Sequence, residues 1–205
     1  MKNRETRSYG KIGIVDETLE EPLSKHYYRF SRTIAQHGRV HPNYITLLRL
    51  LLMIGLTTAT YYHRFPVWSA IVLQLCWFLD HLDGEMARTH HLVTTFGDYF
   101  DHVVDITYTL PLLAILAVRL YATPYFYGLV GVFLFLTCTS LIMLACQESI
   151  LKQQHARAAS LALRCIQPLC ASTDTTRRLR FMGPSALFLF VSALIVYTHY
   201  APRKN

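Results

Sequence analysis

The residues that could do chemistry lie in one stretch, "DHLDGEMARTHHLVTTFGDYFDHVVD", which runs from Asp80 to Asp105. It contains four spaced aspartates, Asp80, Asp83, Asp101 and Asp105, and it directly follows the apolar run "WSAIVLQLCWFL". Ionisable groups at membrane depth are costly, so they usually face a water-filled cavity or a cation and mark function. The four aspartates therefore predict a functional site.

Helical periodicity places these aspartates on two faces that can oppose each other. Over residues 80–88, spacings of three and four put one set of residues on a single face: Asp80, Asp83, Gly84, Ala87 and Arg88. A second helix repeats the pattern with Thr94, Gly97, Asp98, Asp101 and Asp105. The turn "THHLV" between them is short, so we expect four carboxylates to converge.

A cluster of carboxylates predicts bound divalent cations, because like charges disfavour one another's ionisation. Oxygen ligands suit Mg²⁺ or Mn²⁺, and a pair of ions would serve phosphoryl transfer. The small residues Gly84, Ala87 and Gly97 would let a flat group approach the backbone, and Arg88 could hold phosphate oxygens. The five cysteines have no paired spacing that would indicate a zinc site. The pattern thus predicts a metal-bound diphosphate substrate.

The elements that must position this site are membrane helices. The chain has 205 residues, of which 52% are hydrophobic, and its mean hydropathy is +0.25. Apolar stretches near the length of a bilayer crossing predict five spans: Tyr44–Tyr62, Phe65–Leu79, Val103–Leu120, Tyr125–Ala145 and Phe181–His199. The segment before them, "EEPLSKHYYRFSRTIAQHGRV", predicts an amphipathic surface helix. We therefore expect an all-α polytopic bundle in a single domain, residues 1–205, with an N-terminal segment 1–41 and the bundle in 42–205.

The distribution of basic residues predicts the orientation. Eight Lys and Arg residues fall within 1–40 and six within 147–180, whereas the short turns carry only Arg64 and Arg119. The positive-inside tendency puts the aspartate segment on the cytosolic side of a bacterial inner membrane or an endoplasmic reticulum. The first 25 residues are charged throughout, so we expect the first span to direct insertion. The net charge of +7 fits anionic lipid or a phosphorylated substrate, and not nucleic acid.

The aspartate stretch resembles the signature of the CDP-alcohol phosphotransferase family. That signature is DxxDGxxAR, then eight residues, then GxxxDxxxD, and each of its fixed letters is present. "HPNYITLLR", which opens the first span, is also similar to the family. The family usually has six spans, and the amphipathic segment 147–180 is the candidate for the sixth, although an interfacial helix fits its pattern better.

The resemblance implies a reaction and a role for each matching residue. An alcohol would attack the phosphorus distal to cytidine in a CDP-linked donor and release CMP. The metal ligands would be Asp80, Asp83, Asp101 and Asp105, and Asp105 would also act as the general base. The donor would be surrounded by Asn43, Thr46, Gly84, Ala87, Arg88 and Thr94. Family members are commonly homodimers, which the resemblance suggests here as well.

Several alternatives stay open on the sequence. The donor could be CDP-diacylglycerol with a small alcohol acceptor, which we favour, or CDP-choline or CDP-ethanolamine with diacylglycerol. A prenyltransferase would have different aspartate clusters and would not require the DGxxAR element, and a non-enzymatic cation carrier would have its carboxylates in the middle of a span. Asp98 could be a simple helix cap. The four histidines at 81, 90, 91 and 102 occupy variable positions of the motif, and we interpret them as turn or interface residues.

Overall fold

The structure is a computed structural model that describes residues 22–155, 178–179 and 181–201. Its helices are α1 (Pro22–His37), α2 (Pro42–Tyr61), α3 (Pro66–Thr89), α4 (Thr95–Tyr121), α5 (Phe126–His155) and α6 (Pro184–Tyr200). Over these ranges the chain forms no strand. The predicted all-α fold is therefore confirmed.

Proline and capping residues set where the helices begin. Prolines start α2, α3 and α6, where the missing N–H would have no intrahelical partner in any case. The imidazole of His41 caps α2 by accepting a hydrogen bond from the backbone N–H of Asn43 at 3.2 Å. The hydroxyl of Thr94 caps α4 by accepting one from the backbone N–H of Gly97 at 3.0 Å. Both caps lie beside the aspartates, so the ends of α2 and α4 are fixed there.

Helix α3 is the centre of the bundle, since it packs against α1, α2 and α6, while α4 packs mainly on α2, and α5 on α6. One apolar core joins buried residues of α2, α3, α4 and α6: Met53, Leu56, Leu73, Cys76, Leu112, Leu116, Leu120, Val191, Leu194 and Ile195. A second core joins Ala35, Ile45, Leu79, Leu82 and Met86 from α1, α2 and α3. The polar half of α3 begins at Asp80, where these two cores adjoin.

Three of the described helices are long and apolar enough to cross a membrane: α2, α4 and the Phe126–Cys146 part of α5. Helix α6 is apolar but has only 17 residues, and α3 is apolar only in its first half. Many large apolar side chains lie on the outer surface, such as Val118 and Tyr127. With the family membership given below, these features make the chain an integral membrane protein. Crossings by α3 and α6 stay predictions.

The predicted surface helix corresponds to α1, which lies against the polar half of α3. The rings of Tyr27 and Tyr28 contact the His81 ring, and the Phe30 ring contacts that of Phe78. At the other end of the chain, α5 continues to His155, ten residues beyond the predicted span end at Ala145. Most of the predicted amphipathic segment 147–180 lies outside the described residues.

Candidate active site

The aspartates of α3 and α4 do come together. Asp80, Asp101 and Asp105 each offer a carboxylate oxygen, and these oxygens lie within 4.8 Å of one another. The side chains are 24%, 30% and 57% exposed, respectively, so Asp105 is the most accessible. We call these three residues the carboxylate cluster. Its members are only partly covered by protein, so a ligand can reach them.

Arg49, on α2, lies in the middle of the carboxylate cluster. Its two terminal nitrogens donate to the carboxylates of Asp80 and Asp101, and Nη2 lies 3.1 Å from Oδ1 of Asp105. The Arg49 side chain is only 4% exposed. The sequence interpretation did not include Arg49 among the site residues. The signal that could have indicated Arg49 is its position as a cation inside an apolar span. Burying a charge at membrane depth is costly, so such residues usually mark a functional site.

Asp83 occupies a separate, more buried position. Its Oδ2 accepts a hydrogen bond of 2.7 Å from the hydroxyl of Thr46, which also donates to the carbonyl of Pro42. Both side chains are buried. The structure thus joins the predicted residues Thr46 and Asp83, but it places Asp83 outside the carboxylate cluster. A metal-ligand role for Asp83 stays a prediction.

Three further predicted residues meet where α2 and α4 begin. A Cβ added to Gly97 would lie 3.1 Å from Oγ1 of Thr94 and 3.4 Å from Oδ1 of Asn43. Gly97 therefore lets the first turn of α4 approach the start of α2 closely. Thr94 is the helix cap of α4, and the side chain of Asp98 lies outside the described ones.

The DGxxAR element continues α3 beyond Asp80 and forms a surface that we call the Arg88 wall. Gly84 and Ala87 are half-buried, and the guanidinium of Arg88 lies over Gly84, since an added Cβ there would be 3.1 Å from Nη1. Arg88 Nη2 donates to Oε2 of Glu85 at 3.1 Å, and Glu85 is almost fully buried. The sequence interpretation did not include Glu85, because it occupies a variable position of the motif.

The histidines act structurally where their contacts are known. Nδ1 of His81 lies 2.9 Å from the carbonyl oxygen of Trp77, one turn earlier in α3. Nε2 of His90 lies 2.8 Å from the carbonyl oxygen of Ala35, which ties the turn after α3 to α1. His91 adopts a left-handed conformation, with φ of 57°, in the same turn. These contacts agree with the turn and interface roles expected for His81, His90 and His91.

A cavity of about 190 Å³ adjoins the carboxylate cluster and extends between α2, α3, α4 and α6. Asp80, Asp105 and Arg49 line its polar end, and its other walls are mostly apolar side chains: Met53, Leu73, Cys76, Trp77, Val104 and Phe188. Thr109 completes the lining. The cavity can therefore accept a molecule that has both a polar head and an apolar body.

The chemistry of the donors fits a divalent cation. Three carboxylates share one guanidinium, which leaves excess negative charge at partly exposed oxygens. Clusters made only of carboxylate oxygens are suited to Mg²⁺ or Mn²⁺, which also coordinate substrate phosphates. Among the described residues, no cysteine or histidine belongs to the cluster. The site therefore has the donor type, charge and access that such an ion requires.

Fold and site together define a class: an all-α integral membrane protein with a cluster of carboxylates and an arginine-bearing surface on the same helix. Residues 39–201 match the CDP-alcohol phosphatidyltransferase family. The match covers well over half of the sequence, and the chain belongs to this family. The resemblance inferred from the motif is thereby confirmed.

Two curated relatives are similar to part of the chain. Archaetidylinositol phosphate synthase of Pyrococcus horikoshii is 32% identical over 87 residues, which are 42% of this chain and 43% of the relative. The bifunctional IPC transferase and DIPP synthase of Aquifex aeolicus is 38% identical over 79 residues, 38% of this chain and 18% of the relative. The chain thus spans less than half the length of either relative.

Proposed function

We propose that this protein transfers a substituted phosphate group from a CDP-linked donor to an alcohol hydroxyl and releases CMP. The observation that carries the proposal is the convergence of Asp80, Asp101 and Asp105. This convergence provides negative charge for cations, and Arg88, two turns after Asp80 on α3, would add a guanidinium for phosphate. Family membership supports the same general reaction.

Asp105 is the proposed general base. It is the most exposed member of the carboxylate cluster and lines the cavity, so an acceptor hydroxyl can reach it. As the alcohol oxygen forms its bond to the distal phosphorus, the hydroxyl proton passes to the Asp105 carboxylate. The bond between that phosphorus and the bridging oxygen breaks, and CMP leaves with the electron pair.

The other predicted residues hold the donor and the cations. Asp80, Asp83, Asp101 and Asp105 would bind Mg²⁺ or Mn²⁺, in two sites on our proposal. When bound, such ions neutralise the diphosphate and stabilise the charge that develops on the leaving oxygen. Arg88 would donate to the diphosphate, while Gly84 and Ala87 leave room for the nucleotide. Asn43, Thr46, Thr94 and Gly97 would form the end of the donor site near the starts of α2 and α4.

CDP-diacylglycerol is the donor we favour, with a small alcohol as acceptor. The mostly apolar lining of the cavity suits contact with part of an acyl chain of such a donor. One relative is named for an inositol phosphate product, which supports inositol phosphate as the first acceptor to test. The alternative is a CDP-choline or CDP-ethanolamine donor with diacylglycerol as acceptor, for which the same cavity would take the acceptor's acyl portion.

The cellular setting follows from the same proposal. We place the active site on the cytosolic side of a bacterial inner membrane or an endoplasmic reticulum, where CDP-linked donors and water-soluble acceptors meet. The family resemblance adds a homodimer as the proposed assembly. Cysteine accessibility labelling of loop positions such as Arg64 would test the orientation.

The decisive experiment is CMP release by purified protein. CDP-diacylglycerol, CDP-choline and CDP-ethanolamine are each incubated with labelled inositol phosphate, glycerol 3-phosphate, inositol, serine and diacylglycerol, in the presence of Mg²⁺. We expect CMP and a labelled lipid from CDP-diacylglycerol with one of the small alcohols. Release of CMP with diacylglycerol only would support the alternative, and no release with any pair would refute the proposal.

A further inference from the structure

Glu85 is a buried carboxylate that contacts two arginines from different helices. Its side chain is 1% exposed. Oε2 accepts a hydrogen bond from Nη2 of Arg88 at 3.1 Å, and Oε1 accepts one from Nε of Arg32, on α1, at 3.3 Å. Each carboxylate oxygen therefore has its own guanidinium partner. We call Arg32, Glu85 and Arg88 the arginine bridge.

The bridge fixes the plane of the Arg88 guanidinium. Glu85 holds Nη2 from one side, and the backbone of Gly84 lies beneath Nη1 and Nη2, as the short distances from an added Cβ indicate. Nε of Arg88 is buried and has no hydrogen-bond partner among the described residues. A buried N–H without a partner is costly, so this donor points to a ligand that completes the site.

The charge of the bridge is opposite to that of the carboxylate cluster. Two guanidinium groups share one carboxylate, so one positive charge remains uncompensated within the arginine bridge. Arg32 is 46% exposed, whereas the Arg88 side chain is 15% exposed and lies on the site wall. The excess charge next to Gly84 thus suits an anionic group such as phosphate.

Helix α1 is also attached to the same part of α3 by a second contact, between Nε2 of His90 and the carbonyl of Ala35. Arg32 and Ala35 lie one turn apart on α1, and Glu85 and His90 lie just over one turn apart along α3 and its turn. The Arg32–Glu85 and Ala35–His90 contacts hold α1 against α3 and its turn at two positions along α1. The position of Arg32 against Glu85 is therefore a feature of how the helices pack.

We propose that Glu85 is a positioning residue that orients Arg88 toward the diphosphate of the donor, with Arg32 of α1 holding the far side of Glu85. This inference rests on the proposed function. Glu85 itself does not touch the substrate. The surface helix α1 thereby contributes to donor affinity without lying in the donor site.

The test measures CDP binding by isothermal titration calorimetry, in Mg²⁺ buffer, on detergent-purified protein. For Glu85→Gln we expect about a tenfold rise in the Kd for CDP, the effect of weakening a charge-assisted contact. The KM for the CDP-linked donor should rise in parallel while kcat changes little. Arg32→Gln should give a smaller rise, and Arg32→Lys should restore part of it.

Arg39→Gln is the matched control, because Arg39 is exposed, lies just beyond α1 and forms no ion pair with an acid among the described residues. We expect wild-type Kd for this variant. If Glu85→Gln binds CDP with the wild-type Kd, the inference is overturned. A loss of kcat and Tm at that unchanged Kd would show that the role of Glu85 is structural. If Glu85→Gln does not fold, equal Kd values for Arg32→Gln and Arg39→Gln overturn it.

The proposed function fails in a different way. Wild-type protein that neither binds CDP nor releases CMP would refute the transferase proposal. Wild-type protein that does both, with Glu85 variants that behave as wild type, would refute only the positioning role.

Discussion

The molecule contains two charged regions that differ in the balance of their charges. In the carboxylate cluster, three aspartates contact the guanidinium of Arg49, and the group opens to a cavity. In the arginine bridge, one buried glutamate is shared by two guanidinium groups. The carboxylate cluster therefore carries excess negative charge, and the arginine bridge carries excess positive charge.

This difference indicates a division of labour across the site. Partly exposed carboxylate oxygens can take a hard cation, whereas a guanidinium held in a fixed plane can take phosphate oxygens. A diphosphate bound to a divalent cation carries both kinds of charge. The two regions would thus bind complementary parts of one substrate complex. A treatment or substitution that changes one region and leaves the other intact can test each part separately.

The largest effect should come from removing the cation. We expect EDTA to reduce CMP release to background, because the excess negative charge of the carboxylate cluster would then oppose binding of the diphosphate. Adding Mg²⁺ or Mn²⁺ in excess should restore turnover. Full turnover in metal-free buffer would contradict the assignment of the cluster as a metal site.

Within the carboxylate cluster, Asp105→Asn should lower kcat by about 10² to 10⁴-fold, the usual contribution of a general base. Binding of the CDP-linked donor should remain measurable. Asp83→Asn should lose donor and metal binding together. Donor binding and turnover are measured for both variants. Near-normal turnover of Asp105→Asn would refute its assignment as the general base. Equal loss of donor binding in both variants would make Asp105 a metal ligand only.

In the DGxxAR element of α3, Gly84→Leu or Ala87→Leu should weaken donor binding by about tenfold or more. The reason is that the added side chain occupies the face over which Arg88 lies. Gly55→Leu is the control, since an added Cβ at Gly55 on α2 meets nothing within 4 Å. The Kd for CDP and the Tm of all three variants are measured. A wild-type Kd in Gly84→Leu would show that this face does not bind the nucleotide.

The smallest effect concerns Arg49. In metal-free buffer, Arg49→Gln should lower Tm by a few degrees, since three carboxylates would lose their shared cation and partly exposed ion pairs contribute about 1 kcal/mol or less. Added Mg²⁺ should raise the Tm of Arg49→Gln more than that of the wild type. An equal or smaller rise would show that Arg49 and the metal do not neutralise the same carboxylates.

Much of the fold and part of the site followed from the sequence. The lengths of the apolar stretches predicted α2, α4 and α5. Helical spacing predicted that Asp80 meets Asp101 and Asp105, because residues three and four apart share a face of a helix. These features are local, so periodicity could predict them. The approach of a flat ligand to Gly84, Ala87 and Gly97 stays a prediction, and in the structure the side chains of Thr94 and Asn43 lie beside Gly97.

The contacts between distant residues could not be predicted in this way. Arg49 is 52 positions from Asp101, and Arg32 is 53 positions from Glu85. A cation in an apolar helix signals function, but its partners depend on how the helices pack. Similarly, the hydrogen bond between Thr46 and Asp83 joins residues 37 positions apart, and spacing along one helix does not predict it.

The turn between α3 and α4 determines how many residues may separate the two halves of the motif. It is closed by a 2.8 Å hydrogen bond from the N–H of Leu92 to the carbonyl of Ala87, and it is tied to α1 through His90. One residue inserted between Gly97 and Asp101 would rotate Asp101 and Asp105 by about 100° about the helix axis. Insertions and deletions should therefore be excluded between Gly97 and Asp105, because each would turn carboxylates of α4 away from Asp80.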